Sequence, residues 1–231
     1  MPVDNVNTLS LLHMNGADTS TTFTDESGKT WTANGNAQID TAIKKFGTGS
    51  ALFDGTTDWI DTPDHADFNR GSGDFTVDFQ VYRGNQNALT RILGQMASSG
   101  DLNTTFFGLS FNSNNTIAFV TASGSTSYTC TSTGTITQDS SWHHVACVRD
   151  GNTLRIAIDG VFGGTKDVTG ITLNNSAYKF SIGRMGEFGQ YFTGQIDEFR
   201  FSDVARWTTN FTPPTQEYGA SANTSNFFHF L

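Results

Sequence analysis

Few residues in this 231-residue chain could do chemistry, and their spacing limits what that chemistry could be. Glycoside cleavage needs two carboxyl groups flanking one bond. The glutamates are Glu26, Glu187, Glu198 and Glu217, and none has a partner at a spacing that would set an acid against a nucleophile. The pair His143-His144 lies in an alternating segment, so the two imidazoles point to opposite faces and cannot serve one site. His144 shares its side with Trp142 and Ala146, as a packed, hydrogen-bonded core histidine would. No Gly-x-Ser-x-Gly elbow, phosphate loop or zinc signature occurs. Cys130 and Cys147 lack CxxC spacing and read as two half-buried thiols, or as one bridge between neighbouring strands. What remains is hydrogen bonding. Asp78, Gln80, Tyr82, His143, Arg149, Arg155, Glu198 and Arg200 are read as outward positions of alternating segments. If those segments lie side by side, they make either a polar surface able to bond hydroxyl groups or a solvated ion ladder, Asp78 and Glu198 against the arginines. Phe188 and Tyr191, in the Gly-rich stretch 183–194, could add an aromatic platform. Trp31 and Trp59 read as core or edge packing, and Trp207 as an anchor for the strand-to-tail connection.

The elements that must position these groups are strands. In 74–82, Phe75, Val77, Phe79 and Val81 alternate with Thr76, Asp78, Gln80 and Tyr82, the period of a strand with one buried side. Leu154, Ile156 and Ile158 repeat the pattern, and Asp159-Gly160 then supplies a turn. Further strands are expected at 9–14, 51–54, 59–62, 91–96, 106–111, 116–121, 127–131, 142–149, 179–183 and 194–202, separated by Asn-Gly, Asp-Gly, Gly-Asn, Ser-Gly and Asn-Asn turn signals. Only 66–69 and 203–206 look helical, each about one turn long. Many short strands at such spacing predict an all-β fold, an antiparallel two-sheet jelly-roll β-sandwich. With four prolines, two of them Pro213-Pro214, no Pro-rich linker divides the chain. One domain is expected over 1–231, with a core at about 9–212 and a C-terminal extension at 213–231. Asn-Thr-x-x-apolar-apolar-His-apolar at 7–14 recurs at 223–230, as a closing strand or as the start of a second tandem unit; a closing strand is favoured because it would cover an otherwise exposed apolar end.

Composition agrees with strands and excludes several partners. Twenty Phe and abundant Thr suit a pleated, half-buried surface. A formal net charge of −9 repels phosphate and anionic lipid, which argues against nucleic acid. No apolar run approaches a membrane span, and residues 1–16 lack the basic flank and apolar stretch of a secretory signal.

Several segments together resemble the laminin-G-like jelly rolls of the concanavalin A-like lectin and glucanase superfamily. They are Leu11-Leu12-His13-Met14-Asn15-Gly16, Lys45-Phe46-Gly47-Thr48-Gly49-Ser50-Ala51-Leu52-Phe53-Asp54-Gly55, Asp74-Phe75-Thr76-Val77-Asp78-Phe79, Trp142-His143-His144-Val145-Ala146, Arg149-Asp150-Gly151, Asp159-Gly160 and Gly194-Gln195-Ile196-Asp197-Glu198-Phe199-Arg200-Phe201. The stretch 204–214 looks like the version found in bacteriophage tail and virion proteins, so the resemblance implies a virion or extracellular module. It implies a host-surface glycan as ligand, with Asp78, Gln80, Tyr82, Arg149, Glu198, Arg200, Phe188 and Tyr191 as contacts. The alternative is a structural virion decoration or assembly domain that binds only protein, with other virion proteins as possible partners. Catalysis is not implied, because the glucanases' E-x-D-x-x-E strand is absent. Gln80 stands where relatives usually carry a Trp, so no tryptophan platform is expected there. The resemblance also implies a structural calcium ion, held by Asp197 with main-chain carbonyls at Asn15 and Gly49, and Asp18 as a further ligand. Asp197 falls on the face of Phe199 and Phe201 by alternation, and a carboxylate facing a core needs a cation or several donors. A hydrogen-bonded structural Asp is the other reading.

Overall fold

The computed structural model describes residues 7–86, 88–97, 101–186 and 189–219. Fifteen strands form there: β1 (Thr8–Leu12), β2 (Thr32–Asn34), β3 (Gln38–Asp40), β4 (Ser50–Asp54), β5 (Trp59–Thr62), β6 (Phe75–Arg83), β7 (Thr90–Gln95), β8 (Phe107–Phe111), β9 (Ile117–Ser123), β10 (Thr126–Thr131), β11 (Trp142–Asp150), β12 (Thr153–Ile158), β13 (Val161–Asp167), β14 (Phe180–Ile182) and β15 (Thr193–Ser202). They pair into an eight-stranded sheet, β13-β12-β11-β6-β15-β4-β3 with β1 also on β15, and a seven-stranded sheet, β10-β9-β8-β7-β14-β5-β2. Adjacent strands run antiparallel, as in β6 with β11 and β15. The expected all-β, two-sheet sandwich is what forms.

Alternation explains the core. Phe75, Val77, Phe79 and Val81 of β6 and Phe107, Leu109 and Phe111 of β8 face one another between the sheets and are all fully buried. The phenylalanines pack as stacks and edges: Phe75 lies parallel to Phe201 at 6.0 Å, and Trp31 meets both Phe180 and Phe199 edge-on at 6.0 Å. Trp31 is thus a core residue. Cys130 and Cys147 are buried in the same layer on opposite sheets, unbridged, and burial pushes the Cys130 thiol up to about 11.

Four expectations change. In β11, Val145 and Cys147 enter the core, so Arg149 shares their side and His144 faces outward. In β15 a bulge between Asp197 and Arg200 inserts one residue, with Glu198 at φ 52. Asp197 therefore pairs opposite Gln80 and Arg200 opposite Asp78, on the outer face, while Phe199 and Phe201 point inward. Strict alternation had put Asp197 in the core. Residues 66–68 form the expected turn of 3-10 helix, but 203–206 do not, because the Thr76 hydroxyl donates to the Val204 carbonyl and accepts from the Arg206 amide. Strands β2, β3 and β13 were not expected: two are three residues long, and β13 is a mostly polar edge. The proposed closing strand at 223–231 lies outside the described residues.

Candidate functional site

The outer face of the eight-stranded sheet is not the exposed polar surface that alternation suggested. The chain after β15 folds back across it, and Trp207 stacks on Phe211 at 4.1 Å, both edge-on to His144. Trp207 thus anchors the tail, as expected. Beneath the tail, Asp78, Gln80, Glu198 and Arg200 are at most 1% exposed. Arg200 grips Asp78 with Nε and Nη2 at 3.0 and 2.9 Å, and the Tyr218 ring covers its guanidinium at 4.0 Å. Burial would raise the Asp78 carboxyl, but Arg200 and His144 beside it hold it well below the usual carboxylate range. His144 Nε2 lies 3.2 Å from the Tyr218 hydroxyl and 3.4 Å from Asp78 Oδ2. It is the packed, hydrogen-bonded histidine expected, under the tail rather than between the sheets. Glu198 is tied to His13 Nδ1 at 2.7 Å and to the Tyr218 amide at 2.8 Å. Burial raises Glu198, and the hydrogen bond that His13 donates to Glu198 raises His13.

Five expected contact residues are therefore corrected. Asp78, Gln80, Glu198 and Arg200 sit under the tail, and Arg149 is spent on the carbonyls of Gly71, Ile171 and Gly151 at 2.5, 2.7 and 3.1 Å. An ion pair does form, Asp78 with Arg200, but buried instead of solvated. Tyr82 is half-buried against Trp142 at 5.7 Å, Arg155 pairs with Asp150 at 3.2 Å, and His143 sits between Asp159 and Asp139 at 2.7 and 3.1 Å. Phe188 lies outside the described residues.

The residues at the expected cation position fit an ion in part. Asp197 Oδ2 accepts from the Lys45 and Phe46 amides at 2.9 and 3.0 Å, while buried Oδ1 has no partner. Burial pushes this carboxyl up to about 7. Asn15 Oδ1 is engaged by the Thr48 amide and hydroxyl, one residue before Gly49, and Asp18 Oδ1 by Thr41. The ligands that the resemblance implies beside Asp197 are the main-chain oxygens of Asn15 and Gly49, which these side-chain hydrogen bonds leave unused.

A second constellation lies on the outer face of the seven-stranded sheet. In β5, Ile60 enters the core, so Trp59 and Asp61 face away from it. Asp61 accepts from the Trp59 indole at 3.0 Å, Asn34 Nδ2 at 3.3 Å and Lys179 Nζ at 2.8 Å. Arg184 stacks its guanidinium on the half-buried Trp59 ring at 3.8 Å, and its Nε is buried without a partner. Tyr191 lies 5.8 Å from Trp59, tilted by 32°. Tyr191 thus stands beside an aromatic group, and its partner is Trp59, which sequence had assigned to packing. The alternation of β5 about Ile60 was the signal that could have found it.

Comparison with known proteins agrees with this architecture. The binding domain of Paraclostridial mosquitocidal protein 1 superposes with a TM-score of 0.68 at 14% identity, covering 87% of this chain and 50% of that one. The binding domain of botulinum neurotoxin DC, solved in complex with SialylT, gives 0.65 at 14% identity, covering 87% and 49%. Domain 4 of an extracellular GH43 arabinanase from Geobacillus stearothermophilus, in complex with arabinotriose, gives 0.63 at 20% identity, covering 86% and 93%. The chain spans about half the length of the two toxin binding domains. No curated protein sequence matches it. A laminin G-type family model, described as the concanavalin A-like lectin/glucanases superfamily, matches residues 54–209, and the chain belongs to that superfamily.

Proposed function

We propose that this chain is a non-catalytic glycan-binding module that engages sugar on the outer face of the seven-stranded sheet. The observation that carries it is the group at Trp59: an indole ring lined up with Tyr191, a guanidinium with an unpaired Nε, and a carboxylate ringed by Asn34 and Lys179. A ring face with polar groups beside it suits a sugar, whose C–H faces stack while its hydroxyls hydrogen-bond. The arabinanase domain and the neurotoxin domain described above are similar folds seen with sugar-named ligands, which supports the reading. An extracellular or virion surface is part of the proposal, supported by the resemblance of 204–214; among the described residues no helix is long and apolar enough to cross a membrane. A structural calcium at Asp197 is likewise proposed, supported by its unpaired buried oxygen.

A glycan array on the full chain, followed by titration of the best ligand, tests the main claim. Trp59→Ala should weaken binding about tenfold, roughly 1.4 kcal/mol, with little change in melting temperature because the ring is half-buried. An array with no response from the wild-type chain would sink the proposal and favour a module that binds protein only.

A further inference from the structure

Between the eight-stranded sheet and residues 212–215 lies a cavity of about 310 Å³, at the small end of the range that takes organic ligands. Its floor is made by Gln80 and His144, directly opposed across β6 and β11. Pro213 and Pro214 cover it, and Phe46 and Trp142 form its apolar sides. It lies on the sheet opposite the one that carries Trp59.

Two polar atoms of the floor have no partner: Gln80 Nε2 and His144 Nδ1, on residues that are each 1% exposed. A buried donor or acceptor left unmet costs about 1–3 kcal/mol, and native structures rarely leave one so. Their chemistry is complementary. His144 Nε2 faces the Asp78 carboxylate, which can only accept, and the Tyr218 hydroxyl; in the tautomer that donates from Nε2, Nδ1 is a lone pair. Gln80 Nε2 is a donor. A donor and an acceptor on opposed residues match one hydroxyl group, which takes one hydrogen bond and gives another. Of the charged groups at the rim, Asp159 is already engaged. Asp159 accepts from the His144 amide at 2.9 Å and holds His143 at 2.7 Å, and the Lys45 ammonium lies over the Phe46 ring at 5.6 Å.

We propose that this cavity is a second ligand site, separate from the Trp59 face, that takes a neutral polyhydroxylated molecule of about one sugar ring, with one hydroxyl bridging Gln80 and His144 and the ring between Phe46 and Trp142. An anion would meet the His144 lone pair, and an ammonium could not use the Gln80 donor.

Titration of the full chain with D-glucose, D-galactose, D-mannose and L-arabinose, followed by the NMR signal of the Trp142 indole N–H, tests it without any variant. The expected result is a saturable shift with at least one of the four. That shift should persist in Trp59→Ala. In Gln80→Leu, which removes an unmet buried donor and so should not lower the melting temperature, the affinity should fall tenfold or more. A Trp142 signal unmoved by all four sugars, showing a cavity that holds only water, would overturn the proposal. So would a shift that vanishes in Trp59→Ala and survives in Gln80→Leu. Either result leaves the Trp59 reading to be judged by its own array.

Discussion

Asp78 and Arg200 are sequestered as a pair: each guanidinium contact to the carboxylate is charge-assisted and the Tyr218 ring covers the guanidinium, while Arg200 Nη1 stays buried without a hydrogen-bond partner. Removing one charge strands the other. Asp78→Asn should therefore destabilise the chain by about 3–5 kcal/mol, read as a lower midpoint in urea unfolding; a midpoint unchanged from wild type would mean that the pair is not buried. His143 carries the clearest pH signature. Its hydrogen bond to Asp159 raises the imidazole above its ordinary 6.5 despite partial burial. The stabilisation is therefore complete below pH 6.5 and is lost as pH rises through the higher folded value. Burial works against ionisation of Asp159, yet the His143 hydrogen bond and the His144 amide hold it low, so its share is lost only in acid, as pH falls through that lowered value. Melting temperature measured from pH 6 to 9 should fall for wild type and stay flatter for His143→Gln. At this scale much was legible: an alternating pattern picked out Asp78, Gln80, Glu198 and Arg200 as a set. Their exposure was not, because what covers a face lies elsewhere in the chain.

Strand β15 and the tail decide more than any single residue. The bulge at Glu198 adds one residue, and a shift of one flips side chains between faces, which moves Asp197 beside Gln80 while leaving Phe199 and Phe201 in the core. No local signal in Ile196-Asp197-Glu198-Phe199 announces it. The tail then covers the Asp78–Arg200 pair through Tyr218, whose ring lies on Arg200 and whose hydroxyl meets His144. These two roles can be separated. Tyr218→Phe keeps the ring and should cost about 1 kcal/mol; Tyr218→Ala removes it and should cost roughly 3–5 kcal/mol. Thermal unfolding of both variants checks this, and equal losses would show that the hydroxyl alone matters.

For the whole molecule, the balance of charge matters less than where carboxylates are placed. The net charge of −9 is spread over a sandwich in which Asp197 keeps one buried oxygen unpaired. If calcium fills that place, it binds only the native state and must stabilise by mass action. Chelator should then lower the melting temperature and added calcium restore it; a melting temperature indifferent to both would remove the ion. By itself the sequence determined the sheet architecture, the core strand β6 and the turns between strands, because alternation, turn chemistry and Phe-rich inner faces are local and repeat in every strand. It also marked Tyr191 as an aromatic to watch. Only the tertiary structure decided which polar face is open and which is closed. That depends on a one-residue bulge in β15, on a tail that returns over β6 and β11, and on the pairing of Trp59 with Arg184 and Tyr191 from a distant loop. Each is a contact between segments far apart in sequence, and no periodicity within one segment encodes it.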